Sequence, residues 1–448
     1  MTAVDLVVRG GTLANGERAD VAIADGRIVA IGPALAAAPH ELDATGRLVL
    51  PGVIDAHVHF NEPGRGHWEG FASGTRALAA GGATCAFEMP LNANPPTLDA
   101  ATFAAKAAAL AGVAHVDLAL WGGLTPDNLD RLDELAEAGV IGLKAFMSRS
   151  GTPEFAAADD ATLYLGMRRA AHLGLLVAVH AENDGITAAL AQRARDAGRR
   201  DARAYLDSRP AVAELEAIGR AIHLAADAGC RLHIVHVSTG RGVALVSAAR
   251  AAGIDVSCET CPHYLVLDED ALERIGAAAK CAPPLRPAAE CAALWAALAD
   301  GSLPMVASDH SPAPPDMKQG DDVFAIWGGI AGCELTLPLL LEAGVLVRGL
   351  GLPWLASVTA GAVAQRFGLQ GKGQVAPGYD ADLAIVALDD PWDVTPDRLH
   401  DRHRLNPYLG WRVRPRVHQT LVRGHLAYDC GQFGAPAGRL LTHRTKSR

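Results

Sequence analysis

Through the middle of this chain, eight short apolar runs alternate with alanine-rich stretches. The runs end near His59, Met89, Leu120, Phe146, His180, His236, Cys258 and Ser308. Runs this short and this apolar read as strands buried on both faces, which is the habit of parallel sheets. The stretches between them, at 130–138, 211–228 and 240–252, read as helices. Strand and helix alternating eight times over about 300 residues predicts a parallel (β/α)8 barrel of the α/β class. A doubly wound open sheet is the rival arrangement.

The barrel is expected over residues 51–365, and the two ends of the chain read differently. Residues 1–50 look like β-hairpins, with Asp25-Gly26 between two apolar runs as the strongest turn signal. Residues 366–430 repeat that strand-and-turn character, so both ends are expected to build one small β-sandwich domain. Residues 431–448 read as a loosely attached tail.

Composition excludes several function classes. A net charge of -10 disfavours nucleic acid and anionic membrane as partners, since both select basic patches. No apolar run is long enough to span a bilayer, and no basic segment with an apolar stretch opens the chain, so a cytoplasmic location is expected. The eight cysteines are scattered without a disulfide-framework pattern. Cys258 and Cys261 form a lone Cys-x-x-Cys with no second pair at zinc-ribbon spacing, so both read as structural.

In a (β/α)8 barrel the reactive groups lie at the C-terminal ends of the strands. His57 and His59 end the first run, and residues two apart on a strand share a face. Lys144 ends the fourth run, His180 the fifth, His236 the sixth, and Asp309 follows the last. Each has an ordinary structural reading: a satisfied histidine, a helix-capping aspartate, a lysine snorkelling to solvent. Together, imidazoles and a carboxylate at one rim form a ligand set for divalent ions. A free lysine is a cation and would repel a metal. Converted by carbon dioxide to a carbamate, it would become an anionic ligand able to bridge two ions.

With these residues assembled, the chain resembles the cyclic amidohydrolases, and among them the allantoinase branch. The superfamily pattern is carried by Pro51-Gly-Val-Ile-Asp-Ala-His-Val-His59, Gly142-Leu-Lys-Ala-Phe146, Ser308-Asp-His310 and 375–383. Branch-specific stretches are 61–71, 88–92, 258–264, 280–286, 308–318, 327–332 and 406–410. The resemblance implies a binuclear centre: His57, His59 and Asp309 on one ion, His180 and His236 on the other, and carboxylated Lys144 bridging them. Zinc stands first among the candidate metals, with cobalt, manganese, nickel or iron as alternatives. It further implies a homotetramer, and hydrolysis of the hydantoin ring of allantoin to allantoate in purine breakdown, with Asp309 as general base and acid. Substrate contacts are expected from Asn92, Arg65, His263, Ala282, Ser311 and the backbone at Gly329.

Two departures sharpen the reading. Dihydroorotases carry Arg two residues after the second histidine, where a planar guanidinium suits a carboxylate. Asn61 occupies that place here, which points to an uncharged ring. Ala282 stands where related hydantoinases have Ser, and a main-chain contact to the ring survives that change. The rivals are hydantoinase or dihydropyrimidinase activity, and a catalytically dead scaffold relative. A complete ligand set argues against the scaffold.

Overall fold

The computed structural model describes residues 3–443. Eight parallel strands surround the centre: β1 (Val53–Val58), β2 (Ala83–Glu88), β3 (Asp117–Leu120), β4 (Leu143–Phe146), β5 (Leu176–His180), β6 (Arg231–Ile234), β7 (Val256–Thr260) and β8 (Met305–Val306). Strands β1 to β3 pair in one arc, and β4 to β8 in another. Backbone bonds from Ile141 to Leu120 (2.9 Å) and from Gly122 to Gly142 (3.0 Å) join the arcs on one side. A parallel bridge between Val58 and His310 joins them on the other, so the sheet closes into the expected barrel.

Strand interiors such as Val177, Val179, Leu143 and Leu232 are fully buried, as continuous apolar runs require. The helices outside carry their own start and stop signals. Asp159 caps Asp160–Leu173 by accepting from Thr162 N at 2.8 Å, and Gly174 ends it in the left-handed conformation. Helix Ala211–Ala228 buries Ala217, Ile218, Ala221, Ile222 and Ala225, a single apolar stripe facing the barrel. The helix expected over 130–138 begins as a 3-10 turn, Leu129–Arg131, and continues as Leu132–Ala138.

Both chain ends contribute to one nine-stranded accessory sheet. Its seam is Leu48–Pro51, antiparallel to Leu383–Ala387. Asp25 (φ 51°) and Gly26 (φ 76°) make the anticipated tight turn, with both residues left-handed as a primed hairpin requires. A buried charge cluster fastens this sheet to the barrel: Lys372 Nζ lies 2.9 Å from Asp117 on β3 and 2.6 Å from Asp382, and Arg423 also pairs with Asp117.

The expectation of a loose tail from 431 needs correction. Gln432–Phe433 extends the accessory sheet, and Leu440–Leu441 pairs in parallel with β3. Arg439 N also donates to Asp117 at 2.9 Å. Two apolar residues in a polar context carry no readable period, so the added strand was invisible in sequence. Residues 444–448 lie outside the described residues.

Candidate metal centre

The strand ends bring the candidate ligands to one rim. His57 and His59 leave β1 on the same face, with ring centroids 5.3 Å apart. Asp309, just past β8, places Oδ1 3.2 Å from His57 Nε2 and 3.5 Å from His59 Nε2. These three buried residues form a cluster that could hold a divalent ion. His180 and His236 meet separately, with Nδ1 and Nε2 3.0 Å apart. One ion at about 2.0–2.1 Å from each nitrogen can span that distance. The rings of His57 and His236 are 5.4 Å apart, so the two groups adjoin.

Lys144 is fully buried among them, and its Nζ has no hydrogen-bond partner among the described residues. Burial brings its amine down from the ordinary value of 10.5 to about 7. Burial likewise holds His57, His180 and His236 below the usual histidine range, and the Lys144 charge adds to the effect. Neutral imidazoles present lone pairs, which is the state a metal needs.

Several of these groups sit on unusual backbone. Asn61 (φ 65°), Asn92 (φ 65°), His236 (φ 39°) and Asp309 (φ 47°) are all left-handed, although none is glycine. Such conformations cost about 1–3 kcal/mol each and concentrate at functional sites. The surroundings hold them in place: buried Asp55 accepts from His57 N (3.2 Å) and Ser308 N (3.0 Å), pinning the ends of β1 and β8 together.

Above the rim opens a cavity of about 360 Å³, within the range of small-molecule sites. His57, His59, His180, His236 and Asp309 form its floor. Residues 324–329 contribute to its walls, including Trp327, whose ring packs edge-on against Trp68 at 4.8 Å.

A model of the amidohydrolase family matches residues 48–427. The allantoinase of Rubrobacter xylanophilus is 60% identical over 446 residues, which are 98% of this chain and 98% of that protein. The allantoinase of Solibacter usitatus is 56% identical over 97% of this chain and 96% of its own length. Among solved structures, the L-hydantoinase (dihydropyrimidinase) from Arthrobacter aurescens superposes with a TM-score of 0.95 at 35% identity, covering 98% of this chain and 100% of its own. The dihydropyrimidinase from Brevibacillus agri gives 0.90 at 33% identity, with 99% of each chain covered. The chain belongs to the amidohydrolase family.

Four of the expected substrate contacts in this amidohydrolase border the cavity: Asn92, Ala282, Ser311 and Gly329. Gly329 is required sterically, because a Cβ there would lie 2.2 Å from the Ser311 carbonyl oxygen. Arg65 and His263 do not line the cavity. Arg65 is engaged instead by Glu154 and by the Asn92 carbonyl at 3.0 Å, so it braces the loop carrying Asn92. His263 lies behind the wall with its ring 4.2 Å from Tyr264, and burial pushes it down to about 4. Asn61 is also wholly buried, with Nδ2 3.5 Å from the Pro312 carbonyl, and does not line the cavity.

Sequence reasoning missed other groups at the site. Arg209 and Lys280 both line the cavity. Arg209 pairs with Glu182, and Lys280 donates to the Ile326 carbonyl while sitting 4.7 Å from the centre of the Tyr205 ring. Lys280 is brought down to about 7 by burial first, then by the Arg209 charge. Glu259 and Glu182 stand directly behind His57 and His180, at 2.8 and 2.9 Å. Glu259 lies at the end of a strand just as the candidate ligands do, and that position was its available signal.

Proposed function

We propose that this amidohydrolase opens the hydantoin ring of allantoin to give allantoate. The observation that carries the reading is the buried His57, His59 and Asp309 cluster at the floor of a cavity, beside a second histidine pair. The substrate assignment is supported by 60% and 56% identity to allantoinases over nearly the full chain.

The residues fit a pair of divalent ions. His57, His59 and Asp309 would hold one, and His180 and His236 the other. Lys144 is a fully buried amine with no hydrogen-bond partner among the described residues, an arrangement that is costly unless the group is put to use. Near neutral pH a substantial fraction of that amine is uncharged and able to add carbon dioxide, forming an N–C bond and releasing a proton. The resulting carbamate would bridge the ions. When bound, such ions supply Lewis acidity and lower the pKa of a shared water. Zinc is the first candidate, and imidazole with carboxylate also accommodates cobalt, manganese, nickel or iron.

Asp309 is the proton carrier. Its side chain reaches the cavity floor, where it accepts a proton from the attacking water and returns it to the ring nitrogen. Water oxygen becomes part of the new carboxylate, the ring C–N bond breaks, and the nitrogen leaves protonated. Asn92, Ser311 and the backbone at Ala282 and Gly329 orient the ring and the ureido group. Allantoin carries no carboxylate, in keeping with Asn61 where a dihydroorotase has Arg. We further propose a cytoplasmic homotetramer, on the family resemblance; among the described residues no helix is long and apolar enough to cross a membrane.

The test is turnover of allantoin by metal-replete protein beside hydantoin, dihydrouracil and dihydroorotate. Preference for allantoin is expected. Preference for hydantoin or dihydrouracil would move the assignment toward the activities named for the solved relatives.

A further inference from the structure

Two buried carboxylates next to the site have no part in the proton transfers above. Glu259 lies on β7, with Oε1 2.8 Å from His57 Nδ1 and Oε2 3.1 Å from His233 Nε2. His233 in turn places Nδ1 2.7 Å from Ser257 Oγ, so the chain of contacts runs inward from His57 into the barrel. Glu182 follows β5, with Oε2 2.9 Å from His180 Nε2, and its other anchor is Arg209. Both carboxylates are wholly buried.

Each histidine pair therefore has one member backed by a carboxylate. The other members lack this: His59 Nδ1 faces the Asn92 amide at 3.3 Å, and His236 Nδ1 has no partner among the described residues. A neutral imidazole has one N–H and one lone pair, so an ion held by one ring nitrogen leaves the N–H on the other, where the facing carboxylate oxygen can accept it. Glu259 thus takes the Nδ1–H of His57 and leaves the Nε2 lone pair facing Asp309. Glu182 takes the Nε2–H of His180 and leaves the Nδ1 lone pair facing His236. The two histidines are held in opposite tautomers.

We propose that Glu259 and Glu182 are positioning residues that fix these opposite tautomers and so set the divalent-ion affinity of the two half-sites separately. This rests on the reading that the two histidine groups each hold an ion. Carboxylates in this position typically change metal affinity by about 10–100-fold. A glutamine in either place keeps the size but presents an amide N–H as well as an oxygen. At Glu259 it could accept from only one of its two histidines, and a donor turned toward Nδ1 would drive His57 to the tautomer that cannot ligate.

The experiment is zinc titration of the chelator-stripped full-length protein against a chromogenic competitor, with elemental stoichiometry, for the wild type, Glu259→Gln, Glu182→Gln, the double variant and Glu259→Asp. The wild type is expected to bind two ions. Each single Gln variant should weaken one ion about 10–100-fold and spare the other, the double variant should weaken both, and Glu259→Asp should recover part of the loss. Melting of the metal-free proteins verifies folding, and Glu182→Gln, on a different strand end, carries the test alone if Glu259→Gln does not fold. Wild-type affinities in both folded Gln variants, or equal weakening of both ions by either one, would overturn the proposal. A wild type that binds no divalent ion would instead overturn the functional reading beneath it.

Discussion

Replacing Lys144 by methionine should stabilise the metal-free protein while abolishing its metal-dependent activity. The side chain is fully buried and its Nζ has no hydrogen-bond partner among the described residues, so the folded state carries an uncompensated amine. In the unfolded chain that amine titrates near 10.5, and burial brings it to about 7 in the fold. Between those values the unfolded chain binds the extra proton, so wild-type stability rises with pH across this window. The gap sets a ceiling of about 5 kcal/mol, of which about 4 kcal/mol persists at pH 7 where the buried amine is half ionised. Methionine keeps the length and apolar body of the chain and removes the charge. The expected gain is on the order of 2–4 kcal/mol at pH 7, shrinking toward zero by pH 10 to 11. Urea unfolding in bicarbonate-free buffer with chelator, at intervals from pH 7 to 10, measures it. Parallel pH dependence in wild type and variant, or a less stable variant at pH 7, would refute the reasoning. The trade is typical of functional sites, where stability is given up for chemistry.

Three further outcomes follow from the same geometry. Asp309→Asn keeps the shape but cannot accept a proton, so kcat should fall by about 10²–10⁴-fold; retention of a tenth or more of wild-type turnover would contradict its role. Lys144→Ala should lose bridged metal, and elemental analysis showing full wild-type content would exclude the carbamate bridge. Gly329→Ala would set a Cβ 2.2 Å from the Ser311 carbonyl oxygen, so the loop must shift. Stability should drop by about 1–3 kcal/mol and kcat/KM by roughly tenfold, checked by thermal melting and steady-state kinetics.

Much of this was legible because the barrel puts its chemistry at strand ends. His57, His59, Lys144, His180, His236 and Asp309 each close or follow an apolar run, and the fold gathers all six at one rim. The burial of Lys144 was not legible, since a lysine after an apolar run snorkels to solvent equally well. Glu259 lies between Cys258 and Cys261, where the Cys-x-x-Cys spacing is the stronger pattern; all eight cysteines are free and most are buried. Arg209 and Lys280 come from irregular segments, where no hydrophobic period predicts which way a side chain turns. Arg65 shows the converse. It sits in a signature loop, where Glu154 and the Asn92 carbonyl hold it and so brace the loop carrying Asn92, a contact that no sequence pattern announces.

The central claim is divalent-ion-dependent ring opening of allantoin at the His57, His59 and Asp309 rim. It is tested most directly by assaying allantoate formation with purified protein before chelation, after chelation, and after adding back zinc with bicarbonate. Activity is expected in the first and third samples and none in the second. Undiminished turnover in the chelated sample, or no allantoate from fully loaded protein, would contradict it.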